Sequence, residues 1–407
     1  MSIRADEQRL IAARVGLVEG IAQGDVVLPA RIAEAFLNVA RHPFVPVFYR
    51  REPGDLFVPW RSGDGSGDEA GWLAAVYSGA SLITEIDGLH AENAPASGVR
   101  GVPTSSSTAP ALMADMLDAL DLRPDSRVLE VGTGSGYNAA LLSWLTKGRV
   151  TTVDHTAHLV ETARERLGTQ GFSPDVIEGD AMHGWAANAP YDRLLASASV
   201  RRVPRAWIDQ CSVGAVLVVP LKGTLAGGSI AWLKKLADGR AVGRLMHTPA
   251  AFMPLLSRGG GGSGGGIDDH AGDPTLLQEV GRRVSPLGER VSPLGGRILD
   301  DWTFSFFAQL HLAPGTVRSF DHRDGLHTTR LRAADGSTTT VTEVAPGAPV
   351  QVTWTGSHDL WADIEAAHDL WLTLNRPRRE WFTVDVAPDD QHVHLRTPTG
   401  RTLTWTL

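Results

Sequence analysis

Three carboxylates stand at the ends of three short apolar runs, and a glycine turn follows the first of them. Glu130 lies within Val128–Val131, and Gly132-Thr133-Gly134-Ser135-Gly136 comes directly after that run. Asp154 closes Arg149–Val153, and Asp180 follows Asp175–Glu178 through Gly179. Glycines in such a turn let backbone approach a ligand closely, because no side chain blocks it and unusual dihedrals are accessible. The spacing is G-x-G-x-G, whereas pyrophosphate-binding turns use G-x-G-x-x-G. A carboxylate at Glu130 would repel a pyrophosphate but help the ammonium end of S-adenosylmethionine, directly or through water. Asp154, after the second strand of the unit, can accept hydrogen bonds from both ribose hydroxyls. Asp180, after the third, can accept one from the adenine amino group. This set of acids favours S-adenosylmethionine as cofactor and methyl transfer as chemistry over a nicotinamide enzyme.

These residues need a frame. From Pro110 to Leu122 the pattern is helical, and strand and helix then alternate: Arg127–Val131, Asn138–Leu145, Arg149–Val153, Thr156–Leu167, Asp175–Ile177, and on through Tyr191–Ala196, Pro204–Gln210, Ala215–Val219 and Ile230–Leu236. Such alternation specifies a parallel sheet with helices on both faces. Upstream, Leu10, Arg14 and Leu17 fall at helical spacing with Ile11, Val18 and Ile21, and Pro29 opens a second helix through Val39. His42–Pro46 must be extended because of its prolines. Residues 61–71 and 87–104 read as polar or Gly/Ala/Pro-rich loops.

Past Ser257 the pattern breaks. Gly259–Gly266 has the composition of a flexible linker. Val284–Arg290 and Val291–Arg297 are near copies of one heptapeptide, too few for a solenoid, and read as linker expansion. Beyond them lies a tryptophan-rich stretch. Helices are expected over Trp302–Leu312 and Leu360–Leu374, and strands over Thr328–Leu331, Ser337–Thr342, Trp381–Val386, His392–Leu395 and Leu403–Leu407. The fold class expected is α/β. A Rossmann-like S-adenosylmethionine-dependent methyltransferase sheet (104–257) sits behind an N-terminal helical cap (1–103), and a Gly-rich linker (258–297) leads to a smaller C-terminal α+β module (298–407).

Composition bounds the function. The 407 residues allow two or three domains, and 43% hydrophobic residues suffice for their cores. A net charge of −8 without a basic run argues against a general nucleic-acid binder. Cys211 is the single cysteine, so no intramolecular disulfide can form, which fits a reducing cytoplasm. The charged N-terminus is unlike a signal peptide, and no apolar run reaches the ~18 residues of a membrane span. A soluble, cytoplasmic protein is expected, with its oligomeric state left open.

Val128–Leu142 resembles the protein-L-isoaspartate O-methyltransferase family. Thr108-Ala109-Pro110, Gly179-Asp180, Pro190–Arg193, Val203-Pro204 and Gly214–Pro220 resemble later motifs of that family in order, and His42–Pro46 resembles an earlier one. The closest resemblance is to a subgroup that accompanies ATP-grasp ligases in the maturation of crosslinked ribosomal peptides, the graspetides. It is carried by Gly71–Ser78, the hydroxyl run Thr104–Thr108, Ala198–Pro204 and the region Leu360–Trp371. The resemblance implies methylation of an aspartate carboxylate in such a precursor peptide, followed by closure to a succinimide, with residues 298–407 engaging the peptide. It implies Thr108 as the catalytic hydroxyl, where the family has serine. It also implies a cofactor site drawn from Thr108, Glu130, Gly132, Gly134, Gly136, Tyr137, Asp154, His155, Asp180 and Ala181, with Ala181 where the family has glycine, and no metal. The general repair enzyme is expected to lack a module like residues 298–407.

Plainer roles stand beside these. Thr108 could cap the helix that begins near Pro110. Asp154 could be a helix cap, Asp180 a loop acid, and Tyr137 packing for the first helical turn. Arg201, Arg202 and Arg205 could grip an acidic peptide or form a solvated turn. Cys211 reads as a structural thiol, His392 and His394 as solvated, and the C-terminal tryptophans as core. Repair of isoaspartate in damaged proteins, small-molecule methylation and a non-catalytic scaffold are the competing functions.

Overall fold

The computed structural model describes residues 3–24, 28–63, 68–223, 225, 228–256, 287–323, 325–345 and 348–407. The glycine run Gly259–Gly266 lies outside them, as do residues 284–286 of the first heptapeptide copy.

The N-terminal region begins with helices α1 (Ile3–Ala22) and α2 (Ala30–Asn38), the latter burying Ile32, Ala35 and Phe36. It then forms a sheet rather than loops: β1 (Val47–Glu52), β2 (Leu56–Arg61), β3 (Leu82–Ile86), β4 (Leu89–His90) and β5 (Pro103–Ser107), with helix α3 (Glu69–Val76) between β2 and β3. The order is β2-β1-β3-β4, and β5 pairs with β3. The turn joining β3 to β4 is Asp87-Gly88, both at positive φ, the backbone that a two-residue hairpin demands. The cap is thus α plus β, and its strand β5 carries the hydroxyl run.

Next come α4 (Pro110–Ala119), β6 (Val128–Val131), α5 (Tyr137–Leu145), β7 (Val150–Asp154), α6 (Ala157–Thr169), β8 (Asp175–Glu178), β9 (Tyr191–Ala196), α7 (Arg205–Asp209), β10 (Cys211–Leu221), β11 (Ser229–Lys235) and β12 (Ala241–Pro249). Strands β8, β7, β6, β9 and β10 lie side by side and parallel. Both faces are covered, which is why these strands are nearly continuous apolar runs. The chain runs outward from β6 to β8 and then returns to the other side of β6 as β9. That reversal opens a crevice at the carboxyl ends of β6 and β9, where open α/β sheets bind ligands.

The C-terminal residues are not set apart from this sheet. They supply β13 (Gly288–Ser292), α8 (Trp302–Gln309), β14 (Val317–Arg323), β15 (Leu326–Arg332), β16 (Thr338–Glu343), β17 (Val350–Thr355), α9 (Leu360–Thr373), β18 (Phe382–Val386), β19 (Gln391–Arg396) and β20 (Thr402–Thr406). Strands β18–β20 lengthen the central sheet to ten strands through antiparallel pairing of β12 with β18. Strands β13–β17 form a second antiparallel sheet. Helices α8 and α9 share one apolar cluster with the underside of the parallel strands, through Phe304, Phe307, Trp361 and Ile364. Gln391 ties the two halves together. Its amide accepts from Val203 N and donates to Val203 O, both at 2.8 Å. The division at 297/298 also shifts: the junction of the two heptapeptide copies forms edge strand β13 against β17, and Arg290 within it pairs with Asp359 at 2.7 Å. From Leu287 onward the duplication is structural, not linker.

Candidate active site

The glycine turn leaves β6 with Gly132, Gly134 and Gly136 all at positive φ (89°, 50° and 84°). Each glycine serves a different need. A Cβ on Gly132 would stand 2.6 Å from Ser197 Oγ. One on Gly136 would press 3.2 Å from Ala163 Cβ, where α5 crosses α6. One on Gly134 would meet no protein atom closer than 3.7 Å and would instead project into open space. Asp154 braces the turn. Its Oδ2 accepts from Thr133 N and Gly134 N at 3.1 Å each, and its Oδ1 from Thr156 N at 3.1 Å. A carboxylate has about four lone-pair sites, so further acceptor capacity remains on the side that faces the crevice.

A cavity of about 270 Å³ fills this crevice. Gly132, Gly134, Asp154, His155, Thr108 and Ala181 line it, which brings six of the ten sequence-derived residues together. Hydroxyls dominate the polar lining, through Ser81, Thr104, Ser105, Ser106, Thr108, Thr156 and Ser197, and among the lining residues there is no Lys or Arg. Thr108 does not cap α4: the N-cap is Ala109, without a side-chain cap bond, and Ala109 N donates to Ser81 Oγ at 3.0 Å.

The other four candidates stand elsewhere. Glu130 is wholly buried beneath the turn, on the α5 side of β6. Its Oε1 accepts from Asn138 Nδ2 at 2.6 Å, while Glu130 Oε2 and Asn138 Oδ1 are buried without a partner. Tyr137 points away from the cavity, into the N-terminal core. Its hydroxyl donates to Val39 O at 3.4 Å and its ring packs on Phe36 and Phe44. Its place in α5 forces this, since the first turn of that helix faces α2. Gly136 belongs to the same helix start and serves packing. Asp180 caps the short turn Ala181–His183, accepting from Met182 N at 2.9 Å, and does not line the cavity.

Burial pushes the Glu130 carboxyl up to about 7, against the hydrogen bond from Asn138 that lowers it, with the charge of Asp154 adding to the rise. The folded protein thus holds this proton far above the ordinary value of 4.5. Stability is therefore lost as pH rises through the window from about 4.5 to 7, and is flat above it. Glu130→Gln has no such proton to lose. Relative to wild type, the ligand-free variant should gain about 3 kcal/mol of unfolding free energy between about pH 5 and about pH 8. Urea unfolding at both pH values checks this, and parallel pH dependence of the two proteins would show that Glu130 is ionised in the fold.

Sequence reasoning missed one whole wall. Ala251–Leu256 lines the cavity together with Thr108. It is fastened by Ser199, whose N donates to Met253 O and whose O accepts from Leu255 N, both at 2.8 Å. The only signal was an apolar run after Pro249. Also missed was Arg41, which is fully buried and donates to Thr108 O. Arg202 and Arg205 bond to Asp389 O and Asp209 and stand outside the cavity lining, as does Arg201. His394 bonds to Thr404, and no group of metal-binding side chains occurs among the described residues. Cys211 is buried, and burial pushes its thiol up to about 12, as suits a structural role. No helix among the described residues is long and apolar enough to cross a membrane.

The residues present fit S-adenosylmethionine: an open face at Gly134, a buried acid with an unpartnered oxygen beneath the turn, and an acid at the end of β7. A parallel sheet with a glycine turn at its reversal point and this lining defines a Rossmann-like methyltransferase that uses S-adenosylmethionine. Comparison narrows the class. Residues 96–260 match the family model described as Protein-L-isoaspartate(D-aspartate) O-methyltransferase. A Methanopyrus kandleri protein named Protein-L-isoaspartate O-methyltransferase is 32% identical over 260 residues, which are 63% of this chain and 96% of that protein. An Ignicoccus hospitalis protein of the same name is 38% identical over 152 residues, 37% of this chain and 71% of that one. The chain belongs to the protein-L-isoaspartate O-methyltransferase family, and it is a carboxyl O-methyltransferase. A solved structure with that description covers 94% of this chain, and this chain covers 99% of it, at a TM-score of 0.51 and 21% identity. The shared fold therefore extends past residue 298. A solved structure of that description thus has a fold counterpart to the C-terminal part, contrary to expectation.

Proposed function

We propose that this protein methylates an aspartyl carboxylate of a peptide, with a crosslinked ribosomal precursor made by an ATP-grasp ligase as the substrate, and that Thr108 orients the accepting carboxylate. The observation that carries the Thr108 assignment is its position: a hydroxyl that caps no helix, on the cavity wall shared with Gly134 and Asp154. Gly132, Gly134, Asp154, His155 and Ala181 would hold the cofactor directly, with Glu130 acting from beneath the turn. When bound, S-adenosylmethionine supplies an electrophilic methyl group.

The protein's own task is then positional. An aspartate carboxylate is already ionised near neutral pH and needs no general base. Thr108 donates a hydrogen bond to one carboxylate oxygen and leaves the other free to react. Ser106 and Thr104 extend the row of hydroxyls on the same wall. Leu112, Phe252 and Leu255 exclude water. Holding reactants in line is an effective-molarity contribution. In the product peptide, the following backbone nitrogen attacks the ester carbonyl and expels methanol, giving the succinimide. That closure needs no further residue of this chain.

Repair of isoaspartyl peptides is the second reading, and it is favoured by the names of the relatives and by the solved structure whose fold covers nearly the whole chain. The two separate in one experiment. The protein is incubated with S-adenosylmethionine and either a crosslinked precursor or an isoaspartyl peptide, followed by mass spectrometry. The proposal expects gain of a methyl and then loss of methanol on the precursor, with poor turnover of the isoaspartyl peptide. The reverse preference would establish repair.

A further inference from the structure

The carboxylate-facing wall carries no cation of its own, yet a buried one stands directly behind it. Arg41 follows α2 and is 0% exposed. Its acceptors are all neutral. Nε donates to Ser107 Oγ (3.3 Å), Nη1 to Val76 O (3.0 Å) and Ser78 O (3.3 Å), and Nη2 to Ala80 O, Ser107 O and Thr108 O (3.2 Å each). The face of the guanidinium lies 6.0 Å from the Tyr137 ring centroid. Among the described residues no acid forms an ion pair with Arg41, whereas buried charges are ordinarily paired. Burial lowers its pKa only to about 10, so it is charged at neutral pH. A guanidinium offers five rigid donors in one plane. Here that fork locks together the end of α3, the turn into β3, and the β5–α4 junction on which Thr108 sits.

Resting on the reading of Thr108 given above, we propose that Arg41 is the positioning residue of the methyl-transfer site: by gripping the carbonyls of Ser107 and Thr108 it aims the Thr108 hydroxyl into the cavity, and its unpaired buried charge biases that wall toward an anionic acceptor group. The charge acts through the Thr108 backbone rather than by contact with substrate. The site thereby attracts a carboxylate without placing a basic side chain where it would neutralise the reacting oxygen. Tyr137 is explained by the same arrangement, since it supports the guanidinium from below and links it to the helix that starts at the glycine turn.

The test uses the full chain and whichever probe wild type turns over, the crosslinked precursor or an isoaspartyl peptide. Inhibition is measured with the matching peptide whose carboxylate is replaced by a carboxamide. For Arg41→Lys, kcat should fall roughly 10- to 100-fold, the order expected for a sub-ångström to ångström misplacement, with S-adenosylhomocysteine affinity held within about threefold. The preference for carboxylate over carboxamide should shrink about tenfold, which a merely structural loss would not cause. Arg31→Lys is the control. Arg31 likewise binds helix-end carbonyls, at Leu122 and Leu145, but stands away from the cavity, so it should lose stability without losing that preference. Should Arg41→Lys not fold, Ser107→Ala removes one of the acceptors of Arg41 and should show the same kcat loss in weaker form. Combined with Thr108→Val, either variant should add little further loss. Unchanged kcat and preference, or fully additive losses, would overturn the role of Arg41. Failure of wild type to methylate any carboxyl peptide would instead overturn the function on which it rests.

Discussion

Gly134→Val should abolish measurable binding of S-adenosylhomocysteine while leaving a folded protein. The three glycines of the turn are alike in sequence but not in surroundings, and that difference makes the test specific. At Gly134 an added Cβ enters the cavity and meets nothing of the protein within 3.7 Å. The cost to the fold is then mainly the left-handed backbone at φ 50°, about 1–2 kcal/mol for a residue with a side chain. The cost to the cofactor is steric exclusion from the surface where its backbone contacts would form, and calorimetry should show affinity weakened by more than about 100-fold, or roughly 2.7 kcal/mol. Gly136→Ala is the counterpart. Its Cβ would press on Ala163 between two packed helices, so it should lower thermal stability more than Gly134→Val does and affect binding less. If Gly134→Val bound the demethylated cofactor within about threefold of wild type, the turn would not be the cradle, whatever its spacing suggests.

The sequence made the parallel half of the fold legible for a physical reason. Strands covered on both faces become apolar runs, and Ala215–Val219 is of that kind, while Val128–Val131 is broken only by Glu130. Helix α9 was legible through the four-and-three spacing of Leu360, Ile364, Ala367 and Trp371, all of which are buried. The N-terminal sheet was not. Strand β5 is Pro-Thr-Ser-Ser-Ser, without apolar alternation, and it is held by its pairing with β3 and by the Thr84–Ser105 hydroxyl contact at 3.1 Å. The hairpin signal at Asp87-Gly88 was present, but β4 is only two residues long. The C-terminal strands were readable as strands, yet nothing local shows that Phe382–Val386 must pair with Ala241–Arg244 and join the central sheet.

Site residues divided along the same line. Gly132, Gly134 and Asp154 line the cavity because their spacing along the strand–turn–helix unit fixes their place, whereas Asp180, read by the same spacing, lies outside it. Tyr137 was drawn in by adjacency to the turn, although the helical rotation points it at Phe36 and Phe44. Arg41 gave no sign of burial, because its partners are mainly carbonyl oxygens from three segments and any residue can supply a carbonyl. A lone arginine after a helix reads as solvated until the tertiary structure closes over it.

Thr108→Val should lower kcat for peptide methylation by about two orders of magnitude, or roughly 2.7 kcal/mol of transition-state stabilisation. Valine reproduces the shape of threonine, so the β-branched side chain still fills the same half-buried place and only the donor is lost. Thr108 makes no cap bond, which removes the usual route by which such a substitution would unfold a helix start. Unfolding free energy should therefore change by less than about 1 kcal/mol, and affinity for S-adenosylhomocysteine by less than about threefold, because the cofactor surfaces at Gly134 and Asp154 are untouched. Thr108→Ser separates hydroxyl from methyl: it should keep turnover within about threefold of wild type. Steady-state kinetics with calorimetry on the three proteins decides between roles. Loss of cofactor affinity in step with turnover would make Thr108 part of the cofactor wall. Full activity in the valine variant would leave the carboxylate to be oriented by Ser106 or Thr104, the other hydroxyls on that side of the cavity.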